Sequence, residues 1–471
     1  MIPTAEHFDL VVIGGGPGGY AAALYGTAAG LNVAIVERDK VGGTCLHRGC
    51  IPAKEFLETA AVFRTVAHAA TFGVQTSAPQ IDFAVSQARK QTVVDNLWKG
   101  LSGLLKKKKI TVINGTGTLH HGNLVKVSDG SELKGTNVIL AAGSVPRTIP
   151  GFEPNGRTIF TSDEFLDLSV MPTSAVVIGA GAIGCEFAST MCDLGTHVTI
   201  LEAMPKMLPG CDVDVVDVVA KAFKKRGIET RLGVSVNGHS PDADGMGTTV
   251  HFGEGESISV DMVVVSVGRR PRTEDLLAEG TGVSLTDRGF VAVDPFMRTT
   301  APNVYAVGDL VPTAALAHIG YAEAIVAIKT IIGETVVPIA YDQVPWAIYC
   351  HPEVSFAGFN EEQAVAHGAA NGYEVVVKKE RYLGNGRAQI LGETDGMVKV
   401  IARKNADGRA GQILGVHMVG PWVTEQLGQA YLAVNWEASV DEVAQFIQPH
   451  PSLSETFGEA MLALTGRGLN G

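Results

Sequence analysis

One strand, turn and helix pattern occurs twice in this chain, and it constrains the fold more than any other feature. Each copy is a short apolar segment followed by three glycines in the spacing G-x-G-x-x-G and then an apolar helical stretch. The glycines are Gly14, Gly16 and Gly19 in the first copy and Gly179, Gly181 and Gly184 in the second. In this motif the first glycine allows a tight turn, the second lets the backbone approach a pyrophosphate, and the third lets the helix pack on the strand. Copies about 165 residues apart therefore predict two nucleotide-binding domains.

An acidic residue closes each copy. Glu37 and Glu202 both lie 18 residues beyond the last glycine of their copy, at the end of the next apolar segment. A carboxylate at this place accepts hydrogen bonds from an adenosine ribose. At Glu202 a carboxylate also repels the 2′-phosphate of NADP, and residues 203–207 carry a single cation, Lys206. We therefore expect the second site to bind NAD.

The segments between and after the two copies predict an α/β fold. Apolar runs at 137–142, 261–267 and 303–309 read as strands, and the helical stretch 316–332 suggests that the first domain resumes after the second. Beyond residue 345 strands and helices mix without a fingerprint, which is typical of an α+β domain. We expect three domains. The first combines residues 1–149 and 272–344, the second comprises residues 150–271, and both are Rossmann-like. The third is a C-terminal α+β domain at residues 345–471.

Composition excludes several classes of protein. The net charge of −12 and pI near 5.6 provide no basic field for a nucleic-acid backbone. The one basic run, 106–109, is interpreted as a solvated helix end. An apolar strand pattern begins by Phe8, and no apolar stretch reaches 18 residues, so we expect neither a leader nor a membrane span. The expectation is a cytoplasmic protein without nucleic-acid or membrane partners.

Two of the six cysteines carry a chemical signal. Cys45 and Cys50 lie close together in a glycine-flanked segment that opens a helix. Five residues apart on an ideal helix they would point about 140° away from each other, so a disulfide requires a distorted turn. A zinc site is disfavoured because no second pair completes it and His47 alone does not suffice. A redox pair is thus favoured over a metal site or inert thiols. The other four cysteines are interpreted as half-buried small residues: Cys185, Cys192, Cys211 and Cys350.

Four motifs together point to a known family. They are Gly-Gly-Thr-Cys45 with Cys50-Ile-Pro-Ala-Lys54, Ala-Ala-Gly-Ser144-Val-Pro-Arg147, Val-Gly-Asp309, and His450-Pro-Ser-Leu-Ser-Glu455. With these the chain resembles the pyridine-nucleotide disulfide oxidoreductases, and within them the dihydrolipoamide dehydrogenases, over essentially its whole length. The resemblance implies FAD in the first fingerprint, NAD in the second, and a homodimer formed through the C-terminal domain.

The resemblance also implies roles for single residues. Cys45 would meet the substrate thiolate, Cys50 would face the flavin, and His450, oriented by Glu455, would act as base on the cysteines of the other subunit. Lys54 and Glu186 would form an ion pair, Lys54 beside the flavin and Glu186 near the nicotinamide. The further FAD contacts that it implies are Gly117, Ser144, Arg147, Asp309, Leu316, Ala317 and His318, and the further NAD contacts are Val236 and Gly268. No metal is expected.

The implied reaction is oxidation of protein-bound dihydrolipoamide with reduction of NAD⁺. Its partners would be lipoyl domains of 2-oxo-acid dehydrogenase complexes or of a glycine cleavage carrier protein. The residues between the cysteines, which include His47 and Arg48, differ from the residues usual in the family and add positive charge. The alternative is an NAD(P)H-dependent reductase of another small disulfide, such as that of glutathione or trypanothione. Reductases of those two disulfides prefer NADPH, and Glu202 argues against that preference.

Other members of the same scaffold are less favoured. A mercuric reductase would carry a terminal cysteine pair, which the final residues lack. The intact cysteine pair disfavours a quinone reductase or transhydrogenase. Two complete nucleotide sites disfavour a non-catalytic FAD-binding subunit.

Overall fold

The computed structural model describes residues 5–243 and 245–469. In chain order its strands are β1 (Glu6–Ile13), β2 (Val33–Glu37), β3 (Thr111–Asn114), β4 (Gly117–His120), β5 (Leu124–Val127), β6 (Glu132–Leu140), β7 (Ser144–Pro146), β8 (Ile159–Phe160), β9 (Ser174–Ile178), β10 (His197–Glu202), β11 (Glu229–Leu232), β12 (Val236–Pro241), β13 (Thr248–Phe252), β14 (Glu256–Val260), β15 (Met262–Val265), β16 (Arg269–Pro271), β17 (Val304–Ala306), β18 (Trp346–Ile348), β19 (Glu353–Gly358), β20 (Val375–Arg381), β21 (Met397–Lys404) and β22 (Ala410–Gly420). Its α-helices are α1 (Pro17–Ala28), α2 (Gly43–Arg48), α3 (Cys50–Ala67), α4 (Phe83–Lys107), α5 (Ser162–Phe165), α6 (Ala182–Asp193), α7 (Val213–Arg226), α8 (Ala317–Ile332), α9 (Glu361–Asn371), α10 (Gly386–Leu391), α11 (Val423–Asn435), α12 (Val440–Val443) and α13 (Glu455–Leu464).

The first fingerprint lies in a sheet with the order β3-β2-β1-β6-β5-β4, and β17 also pairs with β6. Strands β1, β2, β3, β6 and β17 pair in parallel, whereas β4 and β5 are antiparallel. Alternate residues of β1 enter different apolar clusters, Leu10 and Val12 on one face and Val11 and Ile13 on the other. Both faces of β1 are therefore buried at residues 10–13, which explains why these four residues are all apolar.

The second fingerprint lies in a parallel sheet with the order β11-β10-β9-β15-β8. The order β11-β10-β9-β15 repeats that of β3-β2-β1-β6 in the first sheet, so the sequence repeat corresponds to a repeated four-strand topology. The fifth strand differs, because β8 precedes β9 in the chain whereas β17 follows β6. A separate antiparallel sheet, β12-β13-β14, packs beside it. The two-stranded ribbon of β7 and β16 links the two nucleotide-binding units.

The C-terminal part folds around an antiparallel sheet with the order β18-β19-β22-β21-β20. Helices α11, α12 and α13 pack on it around a core that includes Val416, Leu427 and Phe457. The α/β fold class with a C-terminal α+β part is confirmed. The basic run 106–109 lies at the exposed end of α4, and within the described ranges no helix has the length and apolarity to cross a bilayer.

A buried ion-pair cluster joins the second nucleotide-binding unit to the C-terminal sheet. Lys399 on β21 is 0% exposed, and its Nζ lies 2.8 and 2.9 Å from the two carboxylate oxygens of Asp212. Asp214 and Glu361 each approach the same Nζ to 2.6 Å. Burial works to lower the pKa of Lys399, but its hydrogen bonds to these carboxylates raise it. The ammonium therefore stays charged inside the protein.

Candidate active site

The two fingerprint turns have the same geometry. Gly14 has φ +106°, and a Cβ there would lie 2.3 Å from the Ala141 carbonyl oxygen. Gly179 has φ +107°, and a Cβ there would lie 2.6 Å from the Ser266 carbonyl oxygen. Only glycine adopts such a turn without a clash. The third glycines, Gly19 and Gly184, pack against the first, since a Cβ at either would lie within 2.0 Å of the Gly14 or Gly179 carbonyl oxygen.

The helix ends at these turns are suited to a phosphate. Helices α1 and α6 begin after Gly16 and Gly181, and neither N-terminus is capped by a side chain. A Cβ at Gly16 would meet nothing closer than 3.9 Å, and one at Gly181 nothing within 4 Å. Free N–H groups and the helix dipole favour an anion at such a place. Both turns therefore leave an open, anion-binding backbone.

Each terminal acid folds back onto its turn. The Gly15 N–H donates to Glu37 Oε2 at 2.6 Å, and the Ala180 N–H donates to Glu202 Oε2 at 2.7 Å. Glu202 Oε1 also accepts from the Met204 N–H at 2.8 Å. Both carboxylates are thereby held at the edge of the turn where a ribose would lie.

A cleft of about 1000 Å³ connects both turns with the cysteines. Most of the predicted site residues line it: Gly14, Gly16, Glu37, Cys45, Cys50, Lys54, Gly117, Ser144, Gly179, Gly181, Glu186, Glu202, Val236, Gly268, Asp309, Leu316 and Ala317. Six predicted residues are not among those that line it within the described chain. Gly19 and Gly184 pack against Gly14 and Gly179 instead. Arg147 bonds through its N–H to Gly268, His318 contacts the Pro345 carbonyl, and His450 and Glu455 lie on the C-terminal part.

The expected helix across the cysteines is broken in two. Gly49, with φ −150° and ψ −111°, separates α2 from α3 and so allows the Cys45 and Cys50 thiols to form a hydrogen bond with each other. A Cβ at Gly49 would lie 3.0 Å from the Thr44 carbonyl oxygen. Gly43 in turn packs against the first fingerprint, where a Cβ would lie 2.6 Å from Gly16 Cα. The distortion that a thiol pair requires is therefore built by glycine.

The two thiols differ in acidity. A hydrogen bond from Cys45, assisted by the Lys54 ammonium, lowers the pKa of Cys50 to about 7, although partial desolvation opposes this. The same hydrogen bond, together with burial, raises the pKa of Cys45. Arg48 is paired with Asp39 at the surface, and His47 Nε2 contacts the Val41 carbonyl. Negative charge therefore favours Cys50, and Lys54 is the cation that acts on both thiols.

An ion pair lies beside the thiols. Lys54 Nζ is 2.9 Å from both carboxylate oxygens of Glu186. Glu186 Oε1 also accepts from the Tyr349 N–H at 3.0 Å, and Lys54 Nζ lies 4.8 Å from the centre of the Tyr349 ring. Tyr349 belongs to the segment after β18 and has no motif around it, so the sequence did not single it out.

A second polar network surrounds Asp309. Ser144 Oγ donates to Asp309 Oδ2 at 2.5 Å, and Arg269 Nε donates to Ser144 Oγ at 2.7 Å. The buried carboxylate of Glu323 accepts from the Gly308 N–H at 2.6 Å and from Thr313 Oγ1 at 2.7 Å. Arg269 and Glu323 thus orient the loop that carries Asp309. Both were missed by sequence reasoning, although an acid on the apolar face of α8 was a detectable signal for Glu323.

His450 and Glu455 form a pair outside the cleft. His450 Nδ1 lies 2.8 Å from Glu455 Oε1, and the Ser452 N–H donates to Glu455 Oε2 at 2.7 Å. Burial opposes ionisation of Glu455, but these hydrogen bonds lower its pKa. The His450 side chain is 79% exposed. An ionised carboxylate therefore fixes the imidazole at the surface, with Nε2 directed away from Glu455.

Comparison with known proteins decides the family. Residues 8–329 match the model of the pyridine nucleotide-disulphide oxidoreductases, and residues 344–461 match the dimerisation domain of the same family. The chain belongs to this family. It is 37% identical to a dihydrolipoyl dehydrogenase of Bacillus subtilis over 99% of this chain and 100% of that one. It is 38% identical to a dihydrolipoyl dehydrogenase of Zymomonas mobilis, again over 99% and 100%.

Solved structures agree with this family. LpdA from Mycobacterium tuberculosis superposes with a TM-score of 0.89 at 26% identity, over 98% of this chain and 100% of that one. The HOCl-induced flavoprotein disulfide reductase RclA from Escherichia coli superposes with a TM-score of 0.85 at 26% identity, over 96% and 99%. The match to the dimerisation domain supports a homodimer.

This disulfide oxidoreductase uses FAD and NAD, and its residues fit both cofactors. The open backbone at Gly16 and at Gly181, each at a helix N-terminus, suits a pyrophosphate. The carboxylates of Glu37 and Glu202 lie beside these turns, where a carboxylate can accept hydrogen bonds from a ribose. Cys45 and Cys50 line the cleft between them, so one cavity connects the thiols with both nucleotide turns.

Proposed function

We propose that this oxidoreductase is a dihydrolipoyl dehydrogenase, which oxidises protein-bound dihydrolipoamide and reduces NAD⁺. The observation that carries the proposal is the contact between two thiols of unequal acidity in a cleft that joins two nucleotide sites. Relatives named dihydrolipoyl dehydrogenase, 35–38% identical over nearly the full chain, give further support.

The reaction begins with the Cys45–Cys50 disulfide. A substrate thiolate attacks Cys45 Sγ, the bond between the cysteines breaks, and Cys50 leaves as a thiolate. Exchange is faster when the leaving thiol has a low pKa. In the mixed disulfide Cys45 has no proton to donate, so the Lys54 ammonium is the group that lowers the pKa of Cys50 in this step. Lys54, held by Glu186, stabilises the charge that Cys50 gains.

A second exchange completes substrate oxidation. The other substrate thiol loses its proton to His450 Nε2 and attacks the substrate sulfur that is bound to Cys45. The bond between that sulfur and Cys45 breaks, so the substrate loses two electrons and the cysteines gain them. FAD, which Glu37 and Asp309 would help to hold, would supply the two-electron chemistry that connects the reduced cysteines with NAD⁺.

We propose that the base comes from the second subunit. His450 lies at the surface, and among the described residues it is not part of the cleft that Cys45 lines. Glu455 keeps its ring oriented and stabilises the imidazolium that forms. His450 of the partner subunit would then complete each site, so an isolated subunit would lack a base.

The remaining assignments are also proposals. Glu37, Asp309 and the residues near them would hold FAD, while Glu202 selects NAD over NADP. The domains would divide at residues 149/150, 271/272 and 344/345. The partners would be lipoyl domains of a 2-oxo-acid dehydrogenase complex or of a glycine cleavage carrier, in the cytoplasm.

The activity is tested by mixing purified holoenzyme with dihydrolipoamide and NAD⁺ and following NADH. Cys50→Ser should abolish NADH formation while the protein keeps its FAD. A parallel assay uses NADPH and glutathione disulfide. Turnover confined to this second assay would assign a reductase instead and contradict the role of Glu202.

The shared site is tested by complementation. Cys45→Ser and His450→Ala proteins are each expected to be inactive, and the two are unfolded or dissociated together and reassembled. If His450 serves the other subunit, one site of each mixed dimer is intact, so a 1:1 mixture recovers about one quarter of wild-type activity. If His450 serves its own chain, both sites of the mixed dimer stay inactive.

A further inference from the structure

The ribbon of β7 and β16 carries an arginine from the second nucleotide-binding unit toward the first. Arg269 on β16 pairs with Pro146 on β7. The Arg147 N–H donates to the Gly268 carbonyl oxygen at 3.0 Å and continues this pairing. The Arg269 side chain is 16% exposed and lines the cleft. Backbone pairing between the two units therefore sets the place of this cation.

The hydrogen bonds of Arg269 fix the direction of a serine hydroxyl. Its Nε lies 2.7 Å from Ser144 Oγ, and its Nη2 donates to the Ser144 carbonyl oxygen at 3.0 Å. A guanidinium can only donate hydrogen bonds, whereas a serine hydroxyl has one proton and can also accept. Ser144 Oγ therefore accepts from Arg269, and its single proton is directed to Asp309 Oδ2, 2.5 Å away.

The backbone beside Asp309 is held by a different group. The buried carboxylate of Glu323 accepts from the Gly308 N–H at 2.6 Å and from Thr313 Oγ1 at 2.7 Å. What remains to be fixed is the direction of the Asp309 carboxylate, which lines the cleft. Within the described residues its contacts with Ser144 and Arg269 both use Oδ2. Its Oδ1 is thus available to accept a hydrogen bond from a ligand in the cleft.

We infer that Arg269 is a positioning residue for FAD: it directs the Ser144 hydroxyl to Asp309 and so holds that carboxylate ready to accept from the cofactor. The inference rests on the proposed FAD contact of Asp309 and extends it to a residue that comes from the second unit. Without the guanidinium the Ser144 hydroxyl can rotate, and Asp309 loses both a fixed donor and a positive charge 3.8 Å from Oδ2. FAD should then leave the protein faster.

The test measures how fast each holoenzyme releases FAD after dilution, followed by the fluorescence that the flavin gains on leaving the protein. Arg269→Met removes the guanidinium, and Arg269→Lys keeps the charge without the fork of donors. Arg298→Met is the matched control, because it breaks an exposed arginine pair with Asp294. Lys399→Met is the control for general loss of stability, since Lys399 is not among the described residues that line the cleft.

We expect Arg269→Met to release FAD about five- to tenfold faster than the parent protein, as for the loss of one hydrogen bond. Arg269→Lys should give an intermediate rate, because an ammonium can still donate to Ser144 Oγ. Arg298→Met and Lys399→Met should release FAD at the parent rate. The parent rate in Arg269→Met, or an equal acceleration in Lys399→Met, would overturn the inference.

A double variant separates positioning from direct contact with the cofactor. If Arg269 acts through Ser144, Arg269→Met should add little to Ser144→Ala, whereas independent contacts would multiply their effects and overturn the inference. Asp309→Ala should release FAD at least as fast as Arg269→Met. An unchanged rate in Asp309→Ala would contradict the proposed FAD contact itself, so that failure is distinguished from an effect missing only in Arg269→Met.

Discussion

The acidity of Cys50 depends most on a single neighbour, and replacing that neighbour tests the electrostatics of the site. The hydrogen bond from Cys45 is the largest contribution that lowers the pKa of Cys50 to about 7, while partial desolvation opposes it. A hydrogen bond to a charged group contributes about 1.5–3 kcal/mol, and each ~1.4 kcal/mol is tenfold in an acid dissociation constant. Cys45→Ala, which removes the donor, should therefore move the titration of Cys50 about one to two pH units upward.

The change is large enough to measure directly. At pH 7 the thiolate fraction of Cys50 should fall from about one half to about 1–10% in Cys45→Ala. The assay follows the ultraviolet absorbance of the thiolate as pH is raised, after subtraction of the matching protein that also carries Cys50→Ser. The four remaining cysteines do not interfere at this pH, because burial raises the pKa of each: Cys185, Cys192, Cys211 and Cys350.

Cys45→Ser is the matched control for this experiment. Serine keeps a hydroxyl donor in nearly the same place, so Cys50 should titrate near pH 7 as in the parent protein. If Cys45→Ala and Cys45→Ser titrate together, the Cys45 hydrogen bond does not set the acidity of Cys50. Lys54 would then be the main cause, and Lys54→Met would be expected to produce the shift instead.

Two further predictions concern cofactor choice and stability. Glu202→Ala removes the carboxylate that repels a 2′-phosphate, so KM for NAD⁺ should rise and the ratio of NAD⁺ to NADP⁺ activity should fall. Steady-state kinetics with each cofactor measures both, and an unchanged ratio would show that Glu202 does not select the cofactor. Lys399→Met leaves the buried Asp212 carboxylate without its ammonium partner, so the free energy of unfolding in denaturant titrations should fall by about 3–5 kcal/mol. The control Lys404→Met breaks an exposed pair with Glu374 and should lower the free energy of unfolding by under ~1 kcal/mol.

Much of the fold could be predicted because its signals are local. The glycines at 14 and 179 are required by a backbone conformation that neighbouring residues determine, and buried parallel strands have uninterrupted apolar sequences. The repeat of these signals predicted two nucleotide-binding units. The C-terminal sheet was predicted only in outline, since its antiparallel strands carry no comparable motif.

The redox site divides in the same way. Sequence alone determined that Cys45 and Cys50 form the candidate pair and that glycines flank them, because both facts depend on spacing along the chain. Only the tertiary structure showed the break at Gly49 and the unequal acidity of the two thiols, since acidity depends on burial and on groups brought from elsewhere.

The contacts that tune the site join residues far apart in the chain. Lys54 and Glu186 are 132 residues apart, and Ser144 and Asp309 are 165 apart. The sequence by itself determined which chemical groups this protein contains and which cofactors it binds, because those properties belong to short motifs. The tertiary structure alone decided which of these groups meet, because such contacts depend on how helices and sheets pack, and no local pattern of residues specifies that packing.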